Sequence, residues 1–455
     1  MKKKDSKAVL IFFSLLLCGI AAAIVPILHA DSLGSKNNTA QEHTSIRILA
    51  CFDDNAEKYE QLLDLTDIYM NKNQNISVSA TNLTGDEFCV RLMTDFSAAH
   101  EPDIVISSPN YNLLSLYRHG KLGDLTDTLQ SDSDWLRSID KSVLRFVSDN
   151  DRIYGIPAES EYISLYINKK LFARCGLDAP QTLEEFKNVS AQLRGSSITP
   201  VAFGLLDTDM LLYQAVCSSL GSWDKSSFFS DKALEFLKEL YVLDAFPDNA
   251  EVLDRKDSQS LFVSGKCAML AETSSFAGII ENQHLFKNPP FDSKRINDEN
   301  FDITLFPGDK SFSTIRNSLD ISEDFATDAF YAPVAFGAGS LTFFVSQKAL
   351  SENGNEVIRL LRQLTSSEST ELMCERIKNM PAVHTSLKSD FKSELIKTRD
   401  SLLDTATEFS PFPRSSADYY IWSNVFVPGV ADFLHGSITS DALLQRIDER
   451  LNAIK

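Results

Sequence analysis

Most of the short motifs that announce chemistry are missing from this chain. It has no Walker-type glycine loop, no GxSxG turn and no HExxH helix, which leaves P-loop phosphate chemistry, α/β-hydrolase chemistry and zincin-type proteolysis without their usual footing. Histidine is scarce: His29, His43, His100, His119, His284, His384 and His435 make up the whole set, and no two sit at a helical ligand spacing. The cysteines beyond the N-terminal segment, Cys51, Cys89, Cys175, Cys217, Cys267 and Cys374, are scattered and form no CxxC or Cys/His pattern. A protein metal site is therefore not expected. They read as thiols in a core, with one or two disulfides left open for an oxidising compartment. Basic residues are outnumbered, 44 against 63 acidic ones, for a formal charge of −19. That balance disfavours nucleic acid and anionic lipid as partners and favours solubility. With so many acids, a carboxylate pair chosen at will is no sign of a glycosidase. The acidic stretch Gly308–Asp328 lacks the glycine and terminal glutamate of a calcium loop and reads as solvated surface. No catalytic residue, metal or cofactor is expected.

What is present is length and ordinary globular composition. A chain of 455 residues, 43% apolar and 24% charged, can bury a sizeable core and is too long for a single simple one, so two or three lobes are expected. Lys2, Lys3, Lys4 and Lys7 precede an almost unbroken apolar run from Ala8 to Ala30. A basic region before an apolar stretch is an export signal, and this one is about long enough to span a bilayer. Three fates are open: cleavage after Ala30, lipidation at Cys18, or retention as an anchor. Leu28 and Leu17 are poor fits to the first two, and an uncleaved anchor accounts for both. Residues 1–30 are thus a signal peptide or membrane anchor, and 31–44 a polar tether. The positive flank would stay in the cytoplasm and the rest lie outside.

Beyond the tether, hydrophobic periods alternate. Ile46–Ala50, Ile76–Ala80 and Pro102–Ile106 read as strands. A helical pattern with Glu57, Lys58, Asp64 and Asp67 on its polar side, a helix over Glu87–Ala99 and one from Asn112 to His119, stopped by Gly120, lie between and after them. Strand and helix in alternation argue for an open, mainly parallel α/β sheet. Ile153–Pro157 and Tyr162–Ile167 are extended segments flanking Glu159-Ser160-Glu161. Thr182 and Glu185 form a capping box ahead of a helix that Gly195 closes, with Leu183, Phe186, Val189 and Leu193 inward. Phe301–Pro307 is another extended run.

Several stretches together resemble the extracellular solute-binding proteins of bacterial ABC importers, the sugar-binding, maltose-binding-protein-like family. They are Glu101-Pro102-Asp103-Ile104-Val105, the turn Gly120-Lys121-Leu122-Gly123-Asp124-Leu125, and Tyr154-Gly155-Ile156-Pro157 followed by Leu165–Phe172. To these add Cys175–Phe186, Phe262-Val263-Ser264-Gly265-Lys266-Cys267-Ala268-Met269, Leu364-Thr365-Ser366 and Pro381-Ala382-Val383. The resemblance covers about Ser45 to Lys455. It implies an α/β, two-lobe periplasmic-binding-protein-like fold (type II), with hinge strands and a ligand cleft between lobes. Lobe one would be 45–157 and 331–392, and lobe two 158–330 and 393–455.

In open α/β sheets ligands sit beyond the carboxyl ends of the strands. That rule points to Asp53, Asp54 and Asn55 after the first strand, and to Ser107, Ser108, Asn110 and Tyr111 after the third. Glu159 and Glu161 lie at the first lobe crossing, and Asp207 and Asp209 are candidates from lobe two. The resemblance adds Ser275 and Phe276, in the turn after Met269, and a late aromatic position at Tyr419, Tyr420 and Trp422. Asp, Asn and Glu match sugar hydroxyls, and aromatics stack on the flat C–H faces of sugar rings. Each has a plainer reading too: Asp53 and Asp54 as helix caps, Ser107 and Ser108 as a strand end, Glu161 as a solvent-facing group, the late aromatics as core. Two departures bear on the ligand: the family often has Trp where Ser275 stands, and one member of it has a charged pair where Asn110 and Tyr111 stand. The expected function is the substrate-binding component of an ABC importer. It would capture a sugar or oligosaccharide outside the cytoplasmic membrane and hand it to permease subunits, as a monomer. A sensory binding protein that signals to a membrane receptor, and a secreted carbohydrate-active enzyme, are the alternatives.

Overall fold

The computed structural model describes residues 43–52, 56–139, 141–144, 147–206, 210–220, 229–282, 298–308, 337–375, 380–382, 394–403 and 420–454. The export segment, the tether up to residue 42 and most of the Gly308–Asp328 loop lie outside them. Among the described residues no helix is long and apolar enough to cross a membrane. Eleven strands are described: β1 (Thr44–Ala50), β2 (Ile76–Asn82), β3 (Ile104–Ser107), β4 (Ser148–Asp149), β5 (Arg152–Ile153), β6 (Ile156–Asn168), β7 (Thr199–Ala202), β8 (Cys267–Thr273), β9 (Phe301–Leu305), β10 (Gly337–Val345) and β11 (Met380–Pro381).

β1 runs parallel to β2 on one side and β3 on the other, with Ile46 opposite Val78 and Ile48 opposite Ile104. The chain thus delivers the parallel α/β start that the alternating pattern implies, with helices Ala56–Lys72 and Gly85–Ser97 as the crossovers. β10 then returns antiparallel between β3 and β6. Beyond β6 come β8 and the parallel β7, while β9 and β11 also pair with β6.

The two extended segments expected on either side of Glu159-Ser160-Glu161 are one strand. β6 runs unbroken for 13 residues, because every residue from Ile156 to Ser160 and from Tyr162 to Asn168 is buried and so must pair its backbone within the protein. Its first half pairs with β10 and its second half with β8 and β9. Ile156 and Ala158 belong to a core shared with Ile48, Ile106, Leu62, Phe88, Phe344 and Leu361. Ile163, Leu165 and Ile167 belong to another, with Val201, Met269, Phe186, Leu237 and Phe426. A smaller third core gathers Tyr166, Phe262, Phe276, Phe301 and Ile396. The result is a two-lobed α/β protein in which β6 passes from one large core into the next.

Local signals hold the elements in place, with small shifts. The tether ends earlier than expected, since Thr44 already belongs to β1 and its N–H donates to Asn75. Gly120 sits at φ +67 after helix Tyr111–Arg118, a left-handed position that suits glycine. Thr182 Oγ1 accepts from Glu185 N at 3.2 Å, but Glu185 Oε2 reaches back to Gln181 N at 2.7 Å, one residue beyond a strict capping box. Gly195 does not end that helix in the left-handed region. It lies in the last turn, and Ser197 takes the positive φ of 58°. The six cysteines beyond the export segment are thiols, three of them (Cys217, Cys267 and Cys374) buried.

Candidate functional site

The carboxyl ends of β1 and β3 lie side by side, with Ala50 opposite Ile106, so the segments that follow leave the same end of the sheet. The chain passes through Cys51 and Phe52 and returns at Ala56 as helix Ala56–Lys72. Asp53, Asp54 and Asn55 fall in between, outside the described residues, as do Asp207, Asp209 and Tyr419. In the first turn of that helix Lys58 donates to Glu159 Oε2 at 2.5 Å. The sequence had Lys58 on the polar, outward side of the helix. Instead its ammonium turns onto β6, because the Glu159 side chain is completely buried and its charge needs an opposite one.

Two residues further along β6, Glu161 projects from the same side of the strand as Glu159. It is partly exposed, and its Oε2 accepts from Ser275 Oγ at 2.9 Å. Ser275 opens helix Ser275–Asn282 just after β8, and its Oγ lies 2.8 Å from Thr273 Oγ1. Behind these hydroxyls Arg255 grips the buried Glu272 with two N–H groups, the Nε bond measuring 2.9 Å, and Gln259 adds a third donor at 2.8 Å. A capping box at Asp254 and Asp257 fixes the helix end that carries Arg255. Burial pushes the Glu161 carboxyl above its ordinary value, and Arg255, Ser275 and Lys58 only partly offset it. Burial would push Glu272 up as well, but Arg255 and its other donors outweigh that and hold it below its ordinary value.

The remaining candidates divide. Ser107 is buried at the end of β3, its Oγ donating to Ser108 O at 3.1 Å, while Ser108 is exposed. Asn110 caps helix Tyr111–Arg118: its Oδ1 accepts from Asn112 N and Leu113 N, at 3.0 and 3.2 Å. Tyr111 is the first residue of that helix. Phe276 is a core residue and not a cleft surface: it is 1% exposed and packs edge-on against Tyr166 at 5.3 Å. It stands one step past the position where the family often has Trp, and that step turns its ring inward. Trp422 is likewise 6% exposed, among Tyr213, Phe229 and Phe426. Tyr420, half exposed, is the late aromatic available to solvent among the described residues. Sequence reasoning missed Lys58, Arg255, Gln259 and Glu272. Only the Arg255/Gln259 spacing of four, one helical turn, hinted that two donors share a face.

No group of three or more His, Cys, Asp or Glu side chains among the described residues is arranged to hold a metal ion. The geometry is that of a polar seam, rich in hydrogen-bond acceptors, laid across a strand that joins two cores. The sequence profile of the bacterial extracellular solute-binding proteins matches residues 53–366. This chain belongs to that family. A binding protein of Brucella abortus is 27% identical over 212 residues, 44% of this chain and 51% of that protein. The chain thus spans about half the length of the curated relatives it matches. Among solved structures, a chitin oligosaccharide binding protein superposes with a TM-score of 0.67 at 18% identity, covering 90% of this chain and 98% of that one. Maltose-bound MalE3 of T. maritima gives 0.64 at 17% identity, with 90% and 100% covered. The same two-lobe fold is thereby established, and membership of the family places the protein outside the cytoplasm.

Proposed function

We propose that this solute-binding protein captures a sugar or oligosaccharide in a cleft where β6 passes from lobe one (45–157 and 331–392) to lobe two (158–330 and 393–455). The observation that carries this reading is the seam of Lys58, Glu159, Glu161 and Ser275. It sets one partly exposed carboxylate, flanked by a matched ion pair, at the crossing between the cores. A carboxylate with one oxygen fixed and its second free is a good acceptor for a sugar hydroxyl. Tyr420 supplies an exposed ring for stacking. Asp53, Asp54 and Asn55 before the Lys58 helix, Asp207 and Asp209 after β7, and Tyr419 beside Tyr420 in sequence are the further residues of the proposal. Closure of the lobes about β6 and β10 would exclude water and present the loaded form, as a monomer, to the permease subunits of an ABC importer. The apolar run Ala8–Ala30 would keep the protein at the outer face of the cytoplasmic membrane. Nothing in this scheme needs catalysis. The solved neighbours include proteins with raffinose or maltose bound, so those sugars and chitobiose are the first probes. A ligand at 100 times its Kd adds about 2.7 kcal/mol of stability, readily seen as a rise in Tm. The reading requires such a rise for at least one sugar, its loss in Glu161→Ala, and recovery of the sugar intact. A cleaved sugar, or a response only to peptides or polyamines, would replace it.

A further inference from the structure

Arg255 is linked to Glu161 through two hydroxyls, and with the carboxylate ionised the hydrogen bonds along that link have only one consistent direction. Ser275 Oγ donates its single proton to Glu161 Oε2, so the 2.8 Å contact between Ser275 and Thr273 must be donated by Thr273 Oγ1. With its proton committed, the Thr273 oxygen can only accept, and Arg255 Nη2 stands 3.4 Å away as the donor. Glu272 locks that guanidinium: one of its oxygens takes Arg255 Nε and Gln259 Nε2, and the other takes Arg255 Nη2 and the Thr273 amide at 2.7 Å.

We infer that Arg255 is a positioning residue for solute capture, acting through the hydroxyls of Thr273 and Ser275 to hold Glu161 Oε2 so that its other oxygen faces the ligand. The inference rests on the reading above that Glu161 contacts the solute. The relay gives the site three properties. It makes Glu161 a fixed acceptor although no cation among the described residues contacts it. Among those residues it leaves Glu161 without a direct ion pair, so the ligand need not displace one. And it ties ligand geometry to helix Arg255–Val263 of lobe two, whereas Lys58 ties the neighbouring Glu159 to the helix after β1. A relay of oriented donors also favours the ionised carboxylate, in the same direction as the charge of Arg255.

The decisive variant is Thr273→Val, nearly equal in volume, which removes the central hydroxyl and leaves the Arg255–Glu272 pair intact. In the full-length chain with 13C-labelled Glu carboxyls, the Glu161 resonance, identified by its loss in Glu161→Gln, should titrate at higher pH in Thr273→Val than in the wild type. Thr273→Ser should restore it. Affinity for whichever of raffinose, maltose and chitobiose binds should fall roughly tenfold at neutral pH, the order of one charge-assisted hydrogen bond, with its pH profile displaced in the same sense. A Glu161 titration unmoved in Thr273→Val overturns the inference. So does a shift in Arg255→Gln without one in Thr273→Val, which would mean that Arg255 acts by its field alone. If none of the sugars binds the wild type, the proposed function fails, while the titration still decides the relay.

Discussion

Lys58 and Glu159 meet at 2.5 Å across the junction between helix Ala56–Lys72 and β6, and the Glu159 side chain has no exposure at all. They are 101 residues apart in sequence. A buried pair of this kind is costly to break from one side, since the survivor keeps its charge and loses the opposite charge at hydrogen-bond distance. Lys58→Met should therefore destabilise the protein by about 3–5 kcal/mol in urea unfolding. Lys58→Met/Glu159→Met, which removes both charges, should recover most of that. A single variant within about 0.5 kcal/mol of wild type, the scale of ordinary surface changes, would mean that the pair is not buried in solution.

Glu161 and Glu272 should respond to pH with opposite signs. Burial raises the folded-state value of Glu161 above 4.5. The folded protein thus holds that proton more tightly than the unfolded chain, and the associated stability is full below pH 4.5 and lost as pH rises through the raised value. Glu161→Gln should accordingly unfold at higher temperature than wild type at pH 7, with the difference vanishing towards pH 4, even as it weakens ligand capture. Glu272 is held below 4.5, with burial opposed chiefly by Arg255. Its stability is present above 4.5 and lost as pH falls, so Glu272→Gln should cost stability at pH 7 and progressively less in acid. Calorimetric Tm against pH for both variants checks the pair. Parallel curves would contradict it.

The strands and helices were legible because burial imposes a period, and a period survives in sequence. Ile46, Ile48, Leu49, Ala50 and Ile104-Val105-Ile106 are apolar where β1 and β3 are enclosed, and Thr182 and Gly120 mark helix ends by local rules. What failed was long-range. A lysine on the polar side of an amphipathic helix looks the same whether it meets water or a buried glutamate a hundred residues later. Nor does local sequence say that Glu159-Ser160-Glu161 lies inside a strand and not between two, because polar residues in a buried strand break the apolar run that would reveal it. Phe276 shows how much a single residue matters: on a helix, moving from Ser275 to Phe276 turns the side chain by about 100°, enough to exchange the polar seam for the core.

That difference gives a sharp contrast between two aromatics. Phe276 is enclosed with Tyr166, so Phe276→Ala should cost about 3–5 kcal/mol of stability. Tyr420 is 51% exposed, so Tyr420→Ala should change stability by no more than about 0.5 kcal/mol and act instead on sugar affinity. Urea midpoints together with binding of the sugar probe separate the two roles. A Phe276→Ala protein of wild-type stability with lost binding would return Phe276 to the cleft.

The cysteines offer a last test of the packing in solution. Burial pushes the Cys267 thiol up to about 12, and the enclosed Cys217 is driven higher still. Only the thiolate attacks an alkylating agent, so both should be inert at pH 8 for a combined reason of charge state and access. Cys175, half-buried at the end of helix Lys169–Cys175, is reachable by comparison. Iodoacetamide pulses read by peptide mass spectrometry should label the half-buried Cys51, Cys89 and Cys175 first and leave Cys217 and Cys267 untouched until urea unfolds the chain. The two should then react together in one unfolding transition, since Cys217 sits in one large core and Cys267 in the smaller core that shares β8 with it. Labelling of Cys267 well before Cys217 would mean that the small core around Phe262 and Phe301 opens on its own. In that case the Arg255 helix, anchored there through Phe262 and Val263, would be the first part of the seam to loosen.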